Sequence, residues 1–460
     1  MTPSRIVTEL LGIFPHLREE TPHPQMDVGL LEAEAQAFEA LAADWQGQTA
    51  LVSSLFAYFK NRPEYRPSLE ALQRAAQSQP AAFTNKKAAT ALFGKNMSLS
   101  PSRVEQYYQC PFQYFCRYGM RAKQRRPAKI DALEYGTLIH YLLEHTLSTY
   151  PPQAYGTVSR QEIQALVKTL LESYMENKLG GWADKSDRFR YLYHRFEGTA
   201  VTLVIRLLEE LAQSRFSPED FELEIGRDVE PLALTLPDGG IVQVVGKVDR
   251  VDVMRQGGRA YVRVVDYKTG TKQFRLSDLV YGVNMQMLIY LATLWKNGES
   301  RYGAPVLPAG VLYMPARSPK LEGIRGEPER ETERRRLDGL KMNGLVLDDP
   351  AVVEGMEAEV KGIFIPVKRK KDGGYDASSQ IASLSQMGAI ARHIQRMLEK
   401  MGNALHRGDI PAQPLENVCE YCDYACVCGR EKNNPALKMD KLKNQEVLKR
   451  LEEEESDGAE

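Results

Sequence analysis

The apolar residues along this chain follow two periods, and the change between them predicts where helices and strands lie. Apolar positions recur at helical spacing over about 134–148, 160–178, 187–213, 277–297 and 381–406. Between 220 and 268 the pattern alternates instead, and another strand pattern lies near 309–314. Residues 1–97 are typical of helices, with a polar, alanine-rich stretch at 76–97 that is compatible with a linker. The pattern predicts a strand-rich centre flanked by helices.

Gly257-Gly258 predicts a two-residue turn that joins two strands within 244–268. Facing residues then have numbers that sum to 515, so that Asp249 faces Asp266. Val251 faces Val264 on the same, apolar face, and Asp252 faces Arg263 on a polar face. The register places two carboxylates side by side at the end of a valine surface.

Asp249 and Asp266 would have Cβ atoms ~5 Å apart, and Lys268 shares their face because strand side chains alternate. Two such carboxylates repel each other and resist burial. A divalent cation such as magnesium or manganese would resolve this conflict, and Lys268 would orient an attacking water or stabilise charge on a phosphate. The alternative is a surface hairpin whose charges are solvated.

Two further residues are candidates for the same site. His140 lies in the helical pattern between Leu138 and Leu142, where a histidine is either a packed residue or a metal ligand. Glu224 precedes the hairpin in a strand pattern and is either another acid of the site or an exposed strand residue. Both functional interpretations depend on the paired carboxylates.

Six cysteines form a second constellation. Cys419, Cys422, Cys426 and Cys428 fall within ten residues, and Cys110 and Cys116 lie more than 300 residues earlier. This density indicates a metal site, zinc or iron–sulfur, with disulfides the weaker interpretation in a chain without a recognisable secretory signal. If an early cysteine completes the site, the metal pins the C-terminal segment to the helix near 100–118.

The segment 98–135 combines basic and aromatic residues. It holds seven Lys or Arg and three Asp or Glu, and Ser100-Pro101 predicts a helix start. Such a mixture suits single-stranded nucleic acid, where rings stack on bases and cations meet phosphates. An aromatic core helix with a solvated basic end is an equally good interpretation.

Composition narrows the class of protein. The chain has 460 residues and a net charge of −1, and no apolar run is long enough for a membrane helix. The N-terminus lacks the pattern of a secretory signal, which leads us to expect a cytoplasmic protein. No G-x-x-x-x-G-K-[ST] phosphate loop occurs, so we expect no ATPase motor in this chain.

These motifs occur in an order that resembles a known family. The order runs Cys110-Pro111-Phe112, Gly136-x3-His140, Glu224, Gly246-x2-Asp249-Arg250, Asp266-Tyr267-Lys268-Thr269-Gly270, Gln286-x3-Tyr290, Cys419-x2-Cys422-x5-Cys428. It resembles the iron–sulfur nucleases of the PD-(D/E)XK superfamily, and more closely the C-terminal nuclease region of the AddB subunits of bacterial AddAB helicase-nucleases. SLSPSRVEQYYQCPFQYF and LKMNGLVLDD are similar to AddB sequences as well.

The resemblance implies roles for individual residues. Magnesium ligands would be His140, Asp249, Asp266 and the carbonyl of Tyr267. Lys268 would be the catalytic lysine, Glu224 a supporting acid, and Gln286 with Tyr290 a substrate-positioning motif. A [4Fe-4S] cluster would be held by Cys110, Cys419, Cys422 and Cys428, although Cys426 competes with Cys428 as the last ligand and Cys116 is an extra thiol.

We therefore expect an α/β fold with a mixed sheet flanked by helices and an iron–sulfur staple joining its two ends. The expected parts are a helical segment at 1–97, a nuclease domain at 98–430 and a charged, solvated tail at 431–460. The resemblance implies a Mg²⁺-dependent DNA exonuclease that prefers single-stranded ends and processes double-strand breaks with an AddA-like partner. A stand-alone exonuclease of the CRISPR spacer-acquisition type and a non-catalytic iron–sulfur DNA-binding scaffold are the alternatives.

Overall fold

The computed structural model describes residues 9, 12–14, 33–45, 47, 49–76, 83, 85–122, 133–270, 274–317, 328–428 and 436–456. The chain divides into two compact units, 1–79 and 80–460. The first unit contains helices α1 (Glu34–Ala43), α2 (Ala50–Lys60) and α3 (Arg66–Ala76). Leu41 and Phe59 are fully buried in the small apolar core of this unit.

The second unit contains the remaining elements. Its helices are α4 (Lys86–Phe93), α5 (Pro101–Gln109), α6 (Pro111–Tyr114), α7 (Leu133–Thr149), α8 (Arg160–Leu179), α9 (Asp187–Gln213), α10 (Gln286–Asn297), α11 (Glu299–Tyr302), α12 (Glu329–Asp338), α13 (Pro350–Met356), α14 (Leu384–Arg407) and α15 (Asn444–Ser456). Its strands are β1 (Asn96–Leu99), β2 (Ser217–Ile225), β3 (Leu232–Thr235), β4 (Ile241–Val244), β5 (Gly246–Gln256), β6 (Arg259–Lys268), β7 (Val306–Pro315), β8 (Asn343–Leu347) and β9 (Ile381–Ala382).

Six of the strands form the main sheet, in the order β2-β5-β6-β7-β8-β9. The β6–β7 and β8–β9 pairs are parallel and the other pairs are antiparallel. Helix α10 lies between β6 and β7 in the chain, as a crossover between parallel strands requires. A smaller sheet has the order β1-β4-β3. The predicted mixed sheet flanked by helices is confirmed.

The helix starts predicted from capping residues are also present. Ser100 accepts a hydrogen bond from the backbone N–H of Arg103 at the start of α5. Ser159 and Glu162 form a reciprocal capping box at the start of α8. Within the segment 98–122, Tyr107 and Tyr114 are buried and pack edge to face, with ring centroids 5.7 Å apart. These two rings form part of the core, as the structural interpretation of this segment expected.

The β5–β6 hairpin has the predicted register, with Gln256 facing Arg259 and Arg250 facing Val265. Its polar face differs from the expectation. The side chains of Arg250, Asp252 and Arg263 are 0% exposed, because helix α9 brings a carboxylate against that face. Both faces of the hairpin are therefore covered by protein.

The charges on this covered face form one network. Asp252 accepts hydrogen bonds from Arg250 Nη2 at 3.0 Å and from Arg263 Nε at 2.8 Å. Arg263 Nη2 donates to Glu210 of α9 at 2.8 Å, and Arg250 Nη1 donates to the Tyr267 hydroxyl at 3.1 Å. Buried charges are tolerated only when they are paired in this way. The network connects α9 to both strands of the hairpin.

Two segments of the chain, the C-terminal tail and residues 76–97, differ from the expectation. Residues 444–456, expected as a solvated tail, form α15, and Val447, Leu448 and Leu451 are buried. Glu454 of this helix pairs with Arg396 of α14 at 3.3 Å. The segment 76–97, compatible with a linker, contains α4, which packs with α14 inside the second unit.

Among the described residues, no helix is long and apolar enough to cross a membrane.

Asp252→Asn should lower the free energy of unfolding by about 3–5 kcal/mol, because two buried guanidinium groups lose their shared counter-charge. Glu354→Gln breaks an exposed 2.7 Å pair with Arg369 and should cost about 0–1 kcal/mol. Urea denaturation followed by circular dichroism measures both. Equal losses in the two variants would show that the buried network does not hold the hairpin.

Candidate active site

The two carboxylates predicted on the hairpin lie at the ends of β5 and β6. Asp249 Oδ2 accepts a hydrogen bond from the backbone N–H of Tyr267 at 3.1 Å, which joins the two strands beyond the Arg250–Val265 pair that ends the ladder. Burial raises the pKa of Asp249 to about 7, and the charge of Asp266 acts in the same direction. The predicted conflict between buried neighbouring carboxylates is therefore present.

His140 of α7 reaches this end of the hairpin. Its Nε2 lies 3.5 Å from Asp249 Oδ2, and its Nδ1 lies 3.2 Å from Glu222 Oε1. Burial lowers the pKa of His140, but the bond to Glu222 and the charges of Asp249 and Asp266 outweigh it, and the net shift is upward. One ring nitrogen thus faces a carboxylate of β2 and the other faces the hairpin.

Glu222, and not the predicted Glu224, is the acid of β2 at this site. Glu222 lies between two paired positions of the β2–β5 ladder, Phe221 with Arg250 and Leu223 with Val248, and so falls opposite Asp249. Its φ of 52° is in the left-handed region, which is uncommon for a residue other than glycine and concentrates at functional sites.

Glu224 instead pairs with Arg227 at 2.8 Å, away from His140. Glu222 and Glu224 share a strand face by alternation, so the sequence pattern alone cannot choose between them. The signal that could have found Glu222 is the register: its number and that of Asp249 sum to the same value as each flanking pair, such as Phe221 with Arg250.

Lys268 holds the second carboxylate of the hairpin. Its Nζ lies 2.9 Å from Asp266 Oδ1 and 2.7 Å from Oδ2, and it also lies over the ring of Tyr313, 5.3 Å from the centroid. Asp266 is buried while Lys268 is partly exposed. An incoming anionic group would meet the ammonium group first.

Gln286 and Tyr290 lie one turn apart on α10, beside the start of β5. Burial raises the pKa of Tyr290 to about 12, while hydrogen bonds with the Gln286 side chain and the Lys247 backbone lower it. A Cβ atom at Gly246 would come within 2.4 Å of the Tyr290 hydroxyl, so only glycine permits this approach. The pair braces the strand that carries Asp249.

The donor atoms are arranged for a metal ion. One ligand atom each from His140, Glu222 and Asp249 lie within 4.8 Å of one another. Carboxylate oxygens with one imidazole suit hard divalent cations, and the charge of such an ion would offset the burial and the repulsion from Asp266 that raise the pKa of Asp249. Asp266 lies next to this group, with both oxygens turned to Lys268.

A comparison with known families shows to which superfamily the chain belongs. The family model of the PD-(D/E)XK nuclease superfamily matches residues 98–429, which include every residue of the site. The chain belongs to this superfamily. The hairpin acids and Lys268 lie in the part of the chain that defines the PD-(D/E)XK nuclease domain.

Curated proteins similar to this PD-(D/E)XK nuclease are larger. The chain is 28% identical to the B subunit of the ATP-dependent helicase/deoxyribonuclease of Clostridium novyi, over 99% of this chain and 42% of that protein. It is 29% identical to the protein of the same name from Ruminiclostridium cellulolyticum, over 93% of this chain and 39% of that protein. The chain thus spans about two fifths of the length of these relatives.

The cysteines lie where the two ends of the matched region meet. The backbone N–H of Leu415 donates to Gln109 O at 2.9 Å, and that of Phe112 donates to Pro411 O at 3.3 Å. Gln113 Nε2 lies 3.6 Å from Cys422 Sγ, which places α6 against the cysteine loop. These contacts bring the early and late cysteines into one region.

The six thiols differ in their surroundings. Burial raises the pKa of Cys110, and Cys422 and Cys419 are near enough to raise it further. Cys116 is buried beside Cys422 and Cys428, whereas Cys426 is exposed. Cys419, which lies near Cys110, is exposed as Cys426 is, so exposure alone does not separate the ligands from the extra thiols.

Proposed function

We propose that this chain is the nuclease portion of an AddB-like helicase–nuclease subunit and that it hydrolyses phosphodiester bonds of DNA in a Mg²⁺-dependent reaction. The observation that carries the proposal is the meeting of Asp249, Asp266 and Lys268 on one hairpin with His140 across from them. The chain's membership in a nuclease superfamily supports the same chemistry.

The site residues fit a resident Mg²⁺ by the chemistry of their donors. His140, Asp249, Asp266 and the Tyr267 carbonyl would hold the ion, with Glu222 as neighbour or additional ligand. When bound, Mg²⁺ supplies Lewis-acid activation of water and stabilises charge on the phosphate. Because the backbone N–H of Tyr267 bonds to Asp249, the position of that carbonyl is fixed relative to the carboxylate.

Each protein group then has a defined task. Glu222 accepts a hydrogen bond from Nδ1–H of His140 and so keeps Nε2 free to face the hairpin, the arrangement that orients histidine ligands in metal sites. Lys268 presents its ammonium group to a phosphate oxygen or orients the attacking water. Gln286 and Tyr290 fix the position of strand β5 and so help to position the substrate beside these groups.

We further propose that single-stranded DNA ends are the preferred substrate and that an AddA-like motor protein delivers them during double-strand break processing in the cytoplasm. The curated relatives are named as subunits of an ATP-dependent helicase/deoxyribonuclease, which supports a partner and a DNA substrate. Cys110, Cys419, Cys422 and Cys428 would hold a [4Fe-4S] cluster that joins the two ends of the nuclease domain.

Lys268→Ala should reduce degradation of linear single-stranded DNA by about 10²–10³-fold, the usual cost of a lost charge-stabilising group, and Asp266→Ala by at least as much. The rate of degradation is measured with anaerobically purified protein, Mg²⁺ and end-labelled DNA. Glu224→Gln is the matched control. Circular single-stranded DNA tests whether the reaction needs an end. Equal digestion by wild type and both alanine variants would refute the assignment.

Glu222→Gln should weaken Mg²⁺ or Mn²⁺ binding by about 10–100-fold, because the histidine loses the partner that sets its tautomer. Glu224→Gln makes the same chemical change two residues away and should leave the affinity unchanged. Isothermal titration calorimetry with each metal reports binding independently of turnover. If Glu224→Gln weakens metal binding and Glu222→Gln does not, Glu224 and not Glu222 is the acid of the site.

Cys110→Ser and Cys428→Ser should each abolish stoichiometric iron and acid-labile sulfide, whereas Cys116→Ser and Cys426→Ser should retain both. The reason is the ligand set that the resemblance implies, Cys110, Cys419, Cys422 and Cys428, which leaves Cys116 and Cys426 as extra thiols. Chemical analysis of anaerobically purified variants gives the answer. Stoichiometric zinc without iron in the wild type would refute the cluster.

A further inference from the structure

A cationic cleft lies outside the nuclease site, between the start of α4, the turn that joins β3 to β4, and the end of α14. Its volume is about 530 Å³, which is large enough for a nucleotide-sized group. The side chains that set its charge are Lys86, Lys87, Lys95, Arg407, His406 and Asp238. We name it the α4 cleft.

Positive charge in the α4 cleft is largely uncompensated. Lys86, Lys87 and Lys95 are exposed and make no ion pair within the part of the chain that the structure describes. Arg407 pairs with Asp409 at 2.9 Å. The neighbouring segment 77–84 contains no Asp or Glu in the sequence. Three such ammonium groups around one cavity form a site for an anion with several charges.

The carboxylate of Asp238, which lines the cleft, is already engaged. Asp238 Oδ2 lies 2.6 Å from His406 Nδ1, and Asp238 Oδ1 accepts the backbone N–H of Gly240 at 2.9 Å. His406 Nε2 lies 3.1 Å from the carbonyl of Gly94. The hydrogen bond from Gly240 lowers the pKa of Asp238 and the charge of Lys95 also helps to lower it, so this carboxylate offsets part of the charge of Lys95. Lys86 and Lys87 make no ion pair with it.

The wall of the α4 cleft is closely built. His406 is 6% exposed, and a Cβ atom at Gly240 would lie 2.5 Å from its ring and 2.7 Å from the Lys95 carbonyl. The turn, β1 and the end of α14 are thus packed without room for a side chain. Such packing fixes the backbone of Lys95 against the turn.

A short stretch of polypeptide connects the α4 cleft to the nuclease site. Ile241 at its edge begins β4, and Asp249 follows eight residues later, at most ~27 Å away in extended chain. Even at the duplex spacing of about 3.4 Å per phosphate along one strand, about eight nucleotides span this upper limit, and a more extended single strand needs fewer. One DNA molecule can contact both places.

We propose that the α4 cleft binds the phosphate backbone of the DNA strand whose end is held at the nuclease site. This inference rests on the proposed function for the identity of the ligand. Lys86, Lys87 and Lys95 would each neutralise a phosphate and release counterions, so that the cleft contributes affinity without sequence preference.

The test compares Lys87→Gln/Lys95→Gln with Lys168→Gln/Lys178→Gln, two exposed lysines of α8 that make no ion pair among the described residues. Fluorescence anisotropy without added divalent metal measures binding of single-stranded 20-mer DNA over a range of salt concentrations. The cleft variant should lower the salt slope by about 1.4 and weaken binding by about 25-fold at 0.1 M salt. The control variant should show little change.

Two results would overturn the inference: an unchanged 20-mer affinity in the cleft variant, or an equal loss in the control variant. Because binding is measured without turnover, failure of the nuclease assay leaves this result interpretable. Loss of cleavage with an intact lysine effect would count against the proposed function alone.

Discussion

The β5–β6 hairpin carries charged residues on both of its faces, and protein covers both. One face places Asp249 and Asp266 at the candidate active site, and the other buries Arg250, Asp252 and Arg263 against Glu210. A one-residue slip of register would exchange the two sets and leave buried charges without partners. The ionic network therefore fixes the register on which the site geometry depends.

Hydrogen bonds of adjacent residues connect the two faces of the hairpin. Arg250 follows Asp249 and holds the Tyr267 hydroxyl, while the backbone of Tyr267 holds Asp249. The Gly246-x2-Asp249-Arg250 and Asp266-Tyr267-Lys268 motifs thus each combine site residues with one that anchors them to the core. Helix α10 is anchored in a similar way. Glu105 of α5 accepts hydrogen bonds from the backbone N–H groups of Met285 and Gln286, at the start of α10.

Local chemistry made much of this fold predictable. The two glycines at 257–258 set the hairpin register, and Ser100 and Ser159 marked helix starts, because turns and caps depend on residues close in sequence. Burial of Asp252 and Arg263 was not predictable from alternation, since it depends on a carboxylate that α9 contributes from an earlier part of the chain. The apolar face of α15 was not predicted either, because acidic residues surround Val447 and Leu451 in the sequence.

The site was predictable except where it depends on the pairing of distant strands. His140, Asp249, Asp266 and Lys268 come together as their motifs indicated, because a helix and a hairpin of regular geometry carry them. Glu222 was not predicted, because the choice between two glutamates on one strand face needs the register of the neighbouring strand. The metal and the cluster ligands stay predictions.

The backbone hydrogen bonds that join 109–112 to 411–415 have a consequence for how this region fits into longer proteins. A domain whose entry and exit points adjoin can be carried on another chain through a single narrow connection, without its own core being disturbed. The relatives, of which this chain spans about two fifths, contain further sequence. The hydrogen bonds between 109–112 and 411–415 bring the two ends of the region between them side by side, as such a connection requires.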